Sequence, residues 1–106
     1  MNLLEFYGIL MDNAIEATME CDEKIINVTI RRDFRAPRQV LIIENTYKDK
    51  NIDTEKIYEK GFSSKKHNTG LGLWEVRQIL SKHNNLNLFT SKDDVFFRQQ
   101  LEIYFN

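Results

Sequence analysis

One helical segment stands between two pairs of strand-like segments, and this order limits the fold more than any other feature of the chain. Leu3, Leu4, Phe6, Tyr7, Ile9, Leu10, Ala14, Ile15 and Ala17 recur at three- and four-residue spacing, which predicts a helix over 3–18 packed around much of its circumference. Ile26, Val28 and Ile30 then alternate with Asn27, Thr29 and Arg31, predicting a strand with one face buried and one wet. A charged turn around Pro37 leads into Val40-Leu41-Ile42-Ile43, which reads as a fully buried central strand and completes a hairpin. Leu73, Val76, Ile79 and Leu80 predict a second helix from near Gly72 to just before Asn84. Two strands close the chain, around 86–90 and 97–105, with Phe97, Leu101, Ile103 and Phe105 on one face of the second. Strand pairs separated by a single helix do not build a doubly wound parallel sheet, so the expected fold class is α+β, a two-layer sandwich with a mixed, mostly antiparallel sheet.

The 106 residues suffice for one domain with its own core, and 1–106 is read as a single domain. Fifteen Lys and Arg against sixteen Asp and Glu leave a net charge of -1, so no global basic field points to nucleic acid. Any anion site must be local. The one cysteine, Cys21, makes no internal disulfide, and no zinc spacing of Cys and His occurs, which fits a cytoplasmic location. No apolar run reaches the roughly 18 residues needed to span a bilayer.

Between Asn45 and Gly70 about 25 residues show little apolar periodicity, apart from a stretch over 54–60 that suits one or two helical turns. Loops of that length in a compact domain are usually lids or binding loops. Gly70-Leu71-Gly72-Leu73 ends this loop and opens the second helix, where unpaired N–H groups and the positive dipole end suit an anion. Taken alone, the turn serves equally well as a plain loop-to-helix junction.

Asp12, Asn13 and Glu16 interrupt the first helix with polar groups that are poor helix formers and costly to bury unpaired. At i and i+4, Asp12 lies beside Glu16, and Asn13 is within one turn of both. Such oxygens suit Mg²⁺, which takes one or two protein ligands and completes its shell with phosphate and water. A solvated helix edge is the alternative for this set alone. Taken together, a metal ligand and a phosphate cradle separated by a hairpin and a lid point to a Mg²⁺–nucleotide site.

The helix "ILMDNAIEAT" resembles the asparagine box, and "NTGLGLWEVRQIL" the last glycine box, of the GHKL ATPases, which include sensor histidine kinases, gyrase-type topoisomerases and Hsp90. "DNAIEA", "IIENT" and "IYEKGFSSKKHNTGLGL" in this order resemble the peptide-pheromone (quorum-sensing) receptor kinases of Gram-positive bacteria, over about 4–105. The resemblance implies a Bergerat fold holding ATP between the helices and a lid, with Asn13 coordinating Mg²⁺ and Gly70, Leu71, Gly72 and Leu73 wrapping the phosphates. Lys65, with Ser64 beside it, would meet the γ-phosphate, as "GFS-[ST]-K" does in the family; Ser63, Lys66 and His67 share that patch. Asn45 would accept from the adenine amine, although Asn45-Thr46-Tyr47 departs from the family's Asp-x-Gly-x-Gly box. Asp12 and Glu16 are the candidates to orient or deprotonate the attacking group, Glu16 standing where many histidine kinases carry a basic residue.

The resemblance further implies the ATP-binding half of a histidine kinase. The phosphoacceptor histidine would lie on an upstream domain, since His67 falls in the lid and His83 at a helix end. The phosphoryl group would pass next to a response regulator. This chain would be monomeric, within a dimeric, membrane-bound parent whose cytoplasmic portion it forms. Another helix and strand usually precede the asparagine box, so apolar helix surface is expected to be exposed. Tyr58 and Phe62 are expected to anchor the lid, and Trp74 to face the core or a partner rather than the base. The competing readings are another GHKL ATPase, an anti-sigma-type serine kinase, or a degenerate module; the ATPases usually carry Glu where this chain has Ile9.

Overall fold

The computed structural model describes residues 3–59 and 72–105. Its elements follow the predicted order: α1 (Leu3–Met19), β1 (Ile26–Asp33), β2 (Arg38–Thr46), a 3₁₀ turn (Lys56–Tyr58), α2 (Gly72–Lys82), β3 (Leu86–Lys92) and β4 (Phe96–Tyr104). The strands form one sheet in the order β1-β2-β4-β3, and α1 and α2 pack on the sheet and on each other. This is the expected two-layer α+β sandwich. The sheet differs from expectation in one respect: every pairing among the described residues is antiparallel, with no parallel strand to make it mixed.

Register explains the core. Leu41 pairs with Leu101 and Leu101 with Leu88, while Ile43 pairs with Gln99 and Ile103 with Leu86, so alternate residues of the three strands converge on one face. From α1, Phe6, Leu10 and Ala14 descend onto that face at four-residue spacing, each less than 5% exposed, and Val76 of α2 joins them. Burying side chains such as Phe6 and Leu10 contributes about 1.5–3 kcal/mol each. Thr18 continues the same line of α1, and its hydroxyl bonds to that of Thr46. A β-branched polar residue is thereby accepted in the core.

The strand β1 departs from its predicted burial. Val28 and Ile30 pair with Ile43 and Leu41 and so share the helix-covered face, yet they are 49% and 64% exposed. The strand lies at the sheet edge, where the described helices extend little over it. The opposite flank of α1 from Asn13, carrying Leu4, Ile15 and Met19, is exposed as well. The apolar exposure expected of α1 is therefore present, and β1 adds exposed apolar residues of its own.

The outer face is held by ion pairs. Arg38 bridges Asp33 (2.8 Å) and Glu102 (2.8 Å), and Arg98 pairs with Glu44 across β2 and β4. Beneath them Val40 is buried, although it points away from the helices.

Candidate functional site

Two asparagines are the described candidates for the site, and a pair of threonines links the elements that carry them. The Thr18–Thr46 bond fixes the C-terminal end of α1 to the end of β2, and Thr46 is itself held by Ile25, whose N–H donates to Thr46 Oγ1 (3.1 Å) and whose carbonyl accepts from Thr46 N (3.0 Å). Asn45 is the residue before Thr46. Asn13 lies five residues before Thr18, about 7.5 Å back along the helix axis. Helix and strand thus present their amides from a common anchor.

Asn13 is half-buried, about 60° around the helix from the line of Phe6, Leu10 and Ala14. Its Nδ2 donates to the Ile9 carbonyl one turn earlier (2.9 Å), which turns the amide so that the nitrogen serves the helix and the oxygen is the atom suited to a cation. Asp12 and Glu16 are both exposed beside it. No cluster of three or more His, Cys, Asp or Glu among the described residues forms a closed metal cage. One amide oxygen beside two exposed carboxylates is a donor set of the kind that suits Mg²⁺ carried in with phosphates and water.

Asn45 is 1% exposed on the helix-facing side of β2, between Ile26 and Phe97. Its Nδ2 donates to the Thr46 carbonyl (3.0 Å), so Oδ1 is the acceptor the side chain has to offer. Tyr47 occupies the position after this pair. It is buried, its hydroxyl donates to the Asp93 carbonyl, its ring lies 6.1 Å from that of Phe97, and Lys50 Nζ sits over the same ring, 3.8 Å from its centre. Burial pushes its phenol above the ordinary tyrosine range, helped by the nearby carboxylates of Asp93, Asp94 and Asp49.

The long loop after β2 begins as fixed structure rather than as a free lid. Lys92 donates to the carbonyls of Lys50 and Ile52 (both 2.8 Å), tying the loop to the end of β3. Ile57 and Tyr58 are then buried, and the predicted helical stretch over 54–60 is a single 3₁₀ turn. The Tyr58 hydroxyl bonds to Thr90 Oγ1 and donates to Gln99 Oε1 (3.1 Å), while Arg77 stacks 4.6 Å from its ring and pairs with Glu55. Burial raises the Tyr58 phenol pKa. Tyr58 thus ties the described start of the loop to β3, β4 and α2. Sequence reasoning missed Lys92, Thr90 and Gln99, whose roles depend on partners nine to 42 residues away.

Gly72 opens α2, and Leu73 packs against the core beside Trp74, which is half-buried. Ser64, Lys65, Gly70 and Leu71, with Phe62, Ser63, Lys66 and His67, lie outside the described residues. The hollow of about 410 Å³ between α2 and β3, walled by Tyr58, Arg77 and Leu88, includes neither asparagine.

The sequence pattern of the GHKL domain matches residues 1–104. None of the curated proteins matches the chain. Among solved structures, the catalytic domain of histidine kinase ThkA in a nucleotide-free form is similar at 25% identity and a TM-score of 0.74, over 94% of this chain and 64% of that one. A second nucleotide-free form of the same domain gives a TM-score of 0.72 over 94% and 65%. The mycobacterial sensor histidine kinase MprB shares the fold at 18% identity, with a TM-score of 0.67 over 91% and 65%. The chain thus spans less than two thirds of the length of these structures.

Proposed function

Since the chain belongs to the GHKL domain family, we propose that it is the ATP-binding catalytic domain of a two-component sensor histidine kinase, presenting the γ-phosphate of Mg-ATP to a histidine on another domain. The observation that carries this reading is Asn13: a poor helix former, half-buried in the middle of a 17-residue helix, with its amide nitrogen bonded back to Ile9 and its oxygen suited to a cation. Mg²⁺ would supply charge neutralisation for the phosphates when bound. Asn13 Oδ1 would hold it, Asn45 Oδ1 would accept from the adenine amine, and the N-terminus of α2 at Gly72 would face the phosphates. Ser64, Lys65, Gly70, Leu71 and Leu73 would complete the phosphate side, with the lysine as a point charge on the γ-phosphate. Asp12 or Glu16 would orient the attacking imidazole. Catalysis would rest on positioning and charge stabilisation, since phosphoryl transfer asks little covalent chemistry of the protein.

In this proposal the partner is the histidine-bearing domain of the same kinase, followed by a response regulator. The wording of the three motifs supports the pheromone-sensing subgroup and a cytoplasmic place in a membrane-bound, dimeric parent. Titration calorimetry with Mg²⁺ and a non-hydrolysable ATP analogue tests nucleotide binding: heat from the natural chain, strongly reduced in Asn13→Ala, is expected, and no heat from either sinks the reading. Supplying the upstream histidine helix and assaying acid-labile phosphate then separates a kinase from an ATPase. One observation favours a second reading, a module that binds without turnover: buried Tyr47 stands where the family's adenine box carries glycine. Analogue binding without phosphate transfer would support it.

A further inference from the structure

Four of the six arginines fall within eight residues, at positions 31, 32, 35 and 38, and no lysine stands among them. They surround the turn between β1 and β2, at whose apex Phe34 is 95% exposed. Arg38 is neutralised by Asp33 and Glu102. Arg31 and Arg35 are exposed and form no ion pair among the described residues, and Arg32 lies 5.0 Å above the ring of Phe105. We propose that this hairpin tip docks on an anionic membrane surface, with Phe34 entering the interface and the arginines gripping lipid phosphates.

Three observations select a lipid surface over a protein partner. Successive strand residues point to opposite faces, so Arg31 is on the outer face of the sheet and Arg32 on the helix face, with Arg35 at the turn between them. A single peptide strand reaches one face of such a wedge, whereas laterally mobile headgroups close around both. Two hollows of about 440 and 410 Å³ share Arg32, Asp33, Phe34 and Arg35 in their walls, with the Asp33 carboxylate paired to Arg38, and each is roomy enough for a phosphate headgroup. Guanidinium binds phosphate in a bidentate fork, which lysine does not. Charge also polarises the hairpin: exposed Glu20, Asp22 and Glu23 precede β1 at its other end, so a negative surface attracts the tip and repels the opposite end. The tip lies seven residues along β2 from Asn45, about 23 Å, and docking there leaves the nucleotide site clear.

The proposal is independent of the nucleotide reading. Flotation of the full chain with vesicles of phosphatidylglycerol and phosphatidylcholine, with pure phosphatidylcholine, and with poly-glutamate as competitor tests it. Binding to the acidic vesicles alone is expected, with release by high salt. Arg31→Ala and Arg35→Ala should each weaken partition about fivefold, at about 1 kcal/mol per arginine, and Phe34→Ala about tenfold. All three positions are exposed, so the variants should keep the natural melting temperature and circular dichroism. Equal binding by the variants, equal binding to neutral vesicles, or capture by poly-glutamate without vesicle binding would each overturn the proposal, the last in favour of an acidic protein.

Discussion

Replacing Asn13 by alanine separates a structural from a functional role for that residue, because the two effects have different magnitudes. In the free protein the substitution loses the side-chain bond to the Ile9 carbonyl, about 0.5–1.5 kcal/mol. It gains helix propensity at a mid-helix position, up to about 0.7 kcal/mol. The net change in unliganded stability should therefore stay within about 1 kcal/mol, a shift of a few degrees in melting temperature for a domain of this size. Ligand linkage behaves differently. At a hundredfold excess of Mg²⁺–analogue over its dissociation constant, the natural chain gains about 2.7 kcal/mol, and a tenfold weaker variant gains about 1.4. Differential scanning calorimetry with and without analogue reads both numbers from one protein pair. A variant that melts far lower without ligand, or that keeps the full ligand-induced shift, would refute the reasoning.

Thr18→Val removes one hydroxyl of the buried pair that pins α1 to β2; we expect a loss of about 1–3 kcal/mol in chemical denaturation and weaker analogue binding by calorimetry. Tyr58→Phe deletes a buried hydroxyl but leaves Thr90 bonded to Gln99 (2.7 Å), so it should cost only about 1 kcal/mol by urea titration. Asp33, Asp53 and Asp93 have carboxyl pKa values lowered chiefly by turn N–H donors, those of Arg35, Glu55 and Phe96. Groups with folded values below the unfolded one, about 3.9, contribute stability above that pH and lose it as pH falls through the folded value. Melting temperature should thus drop on the acid side of this window, and Asp93→Asn should make the drop shallower.

The two helices, the hairpin and the closing strands were legible because their periodicity is local. Phe6, Leu10 and Ala14 face one way whatever they meet. The burial of β1 was not legible, because alternation at Val28 and Ile30 tells which face a residue takes and not whether a helix covers it. The loop after β2 looked like one long lid because Tyr58, Thr90, Gln99 and Lys92 find each other only through β3 and β4. At the site, Asn13 was visible as a helix anomaly. The Thr18–Thr46 link that orients it against Asn45 was not, since each threonine alone suits its own element.

The strand order has a kinetic meaning. The β1–β2 and β3–β4 pairs close over short turns, but the central β2–β4 pair joins Thr46 to Phe96, with the loop, α2 and β3 between them. Closing so long a loop is entropically slow, which makes docking of two preformed hairpins the expected late event of folding. Until then Asn45 has no Phe97 beside it and the connection between the two hairpins is unclosed. Assembly of the candidate site and completion of the fold are then the same step, and a bound nucleotide would act as a clasp on it.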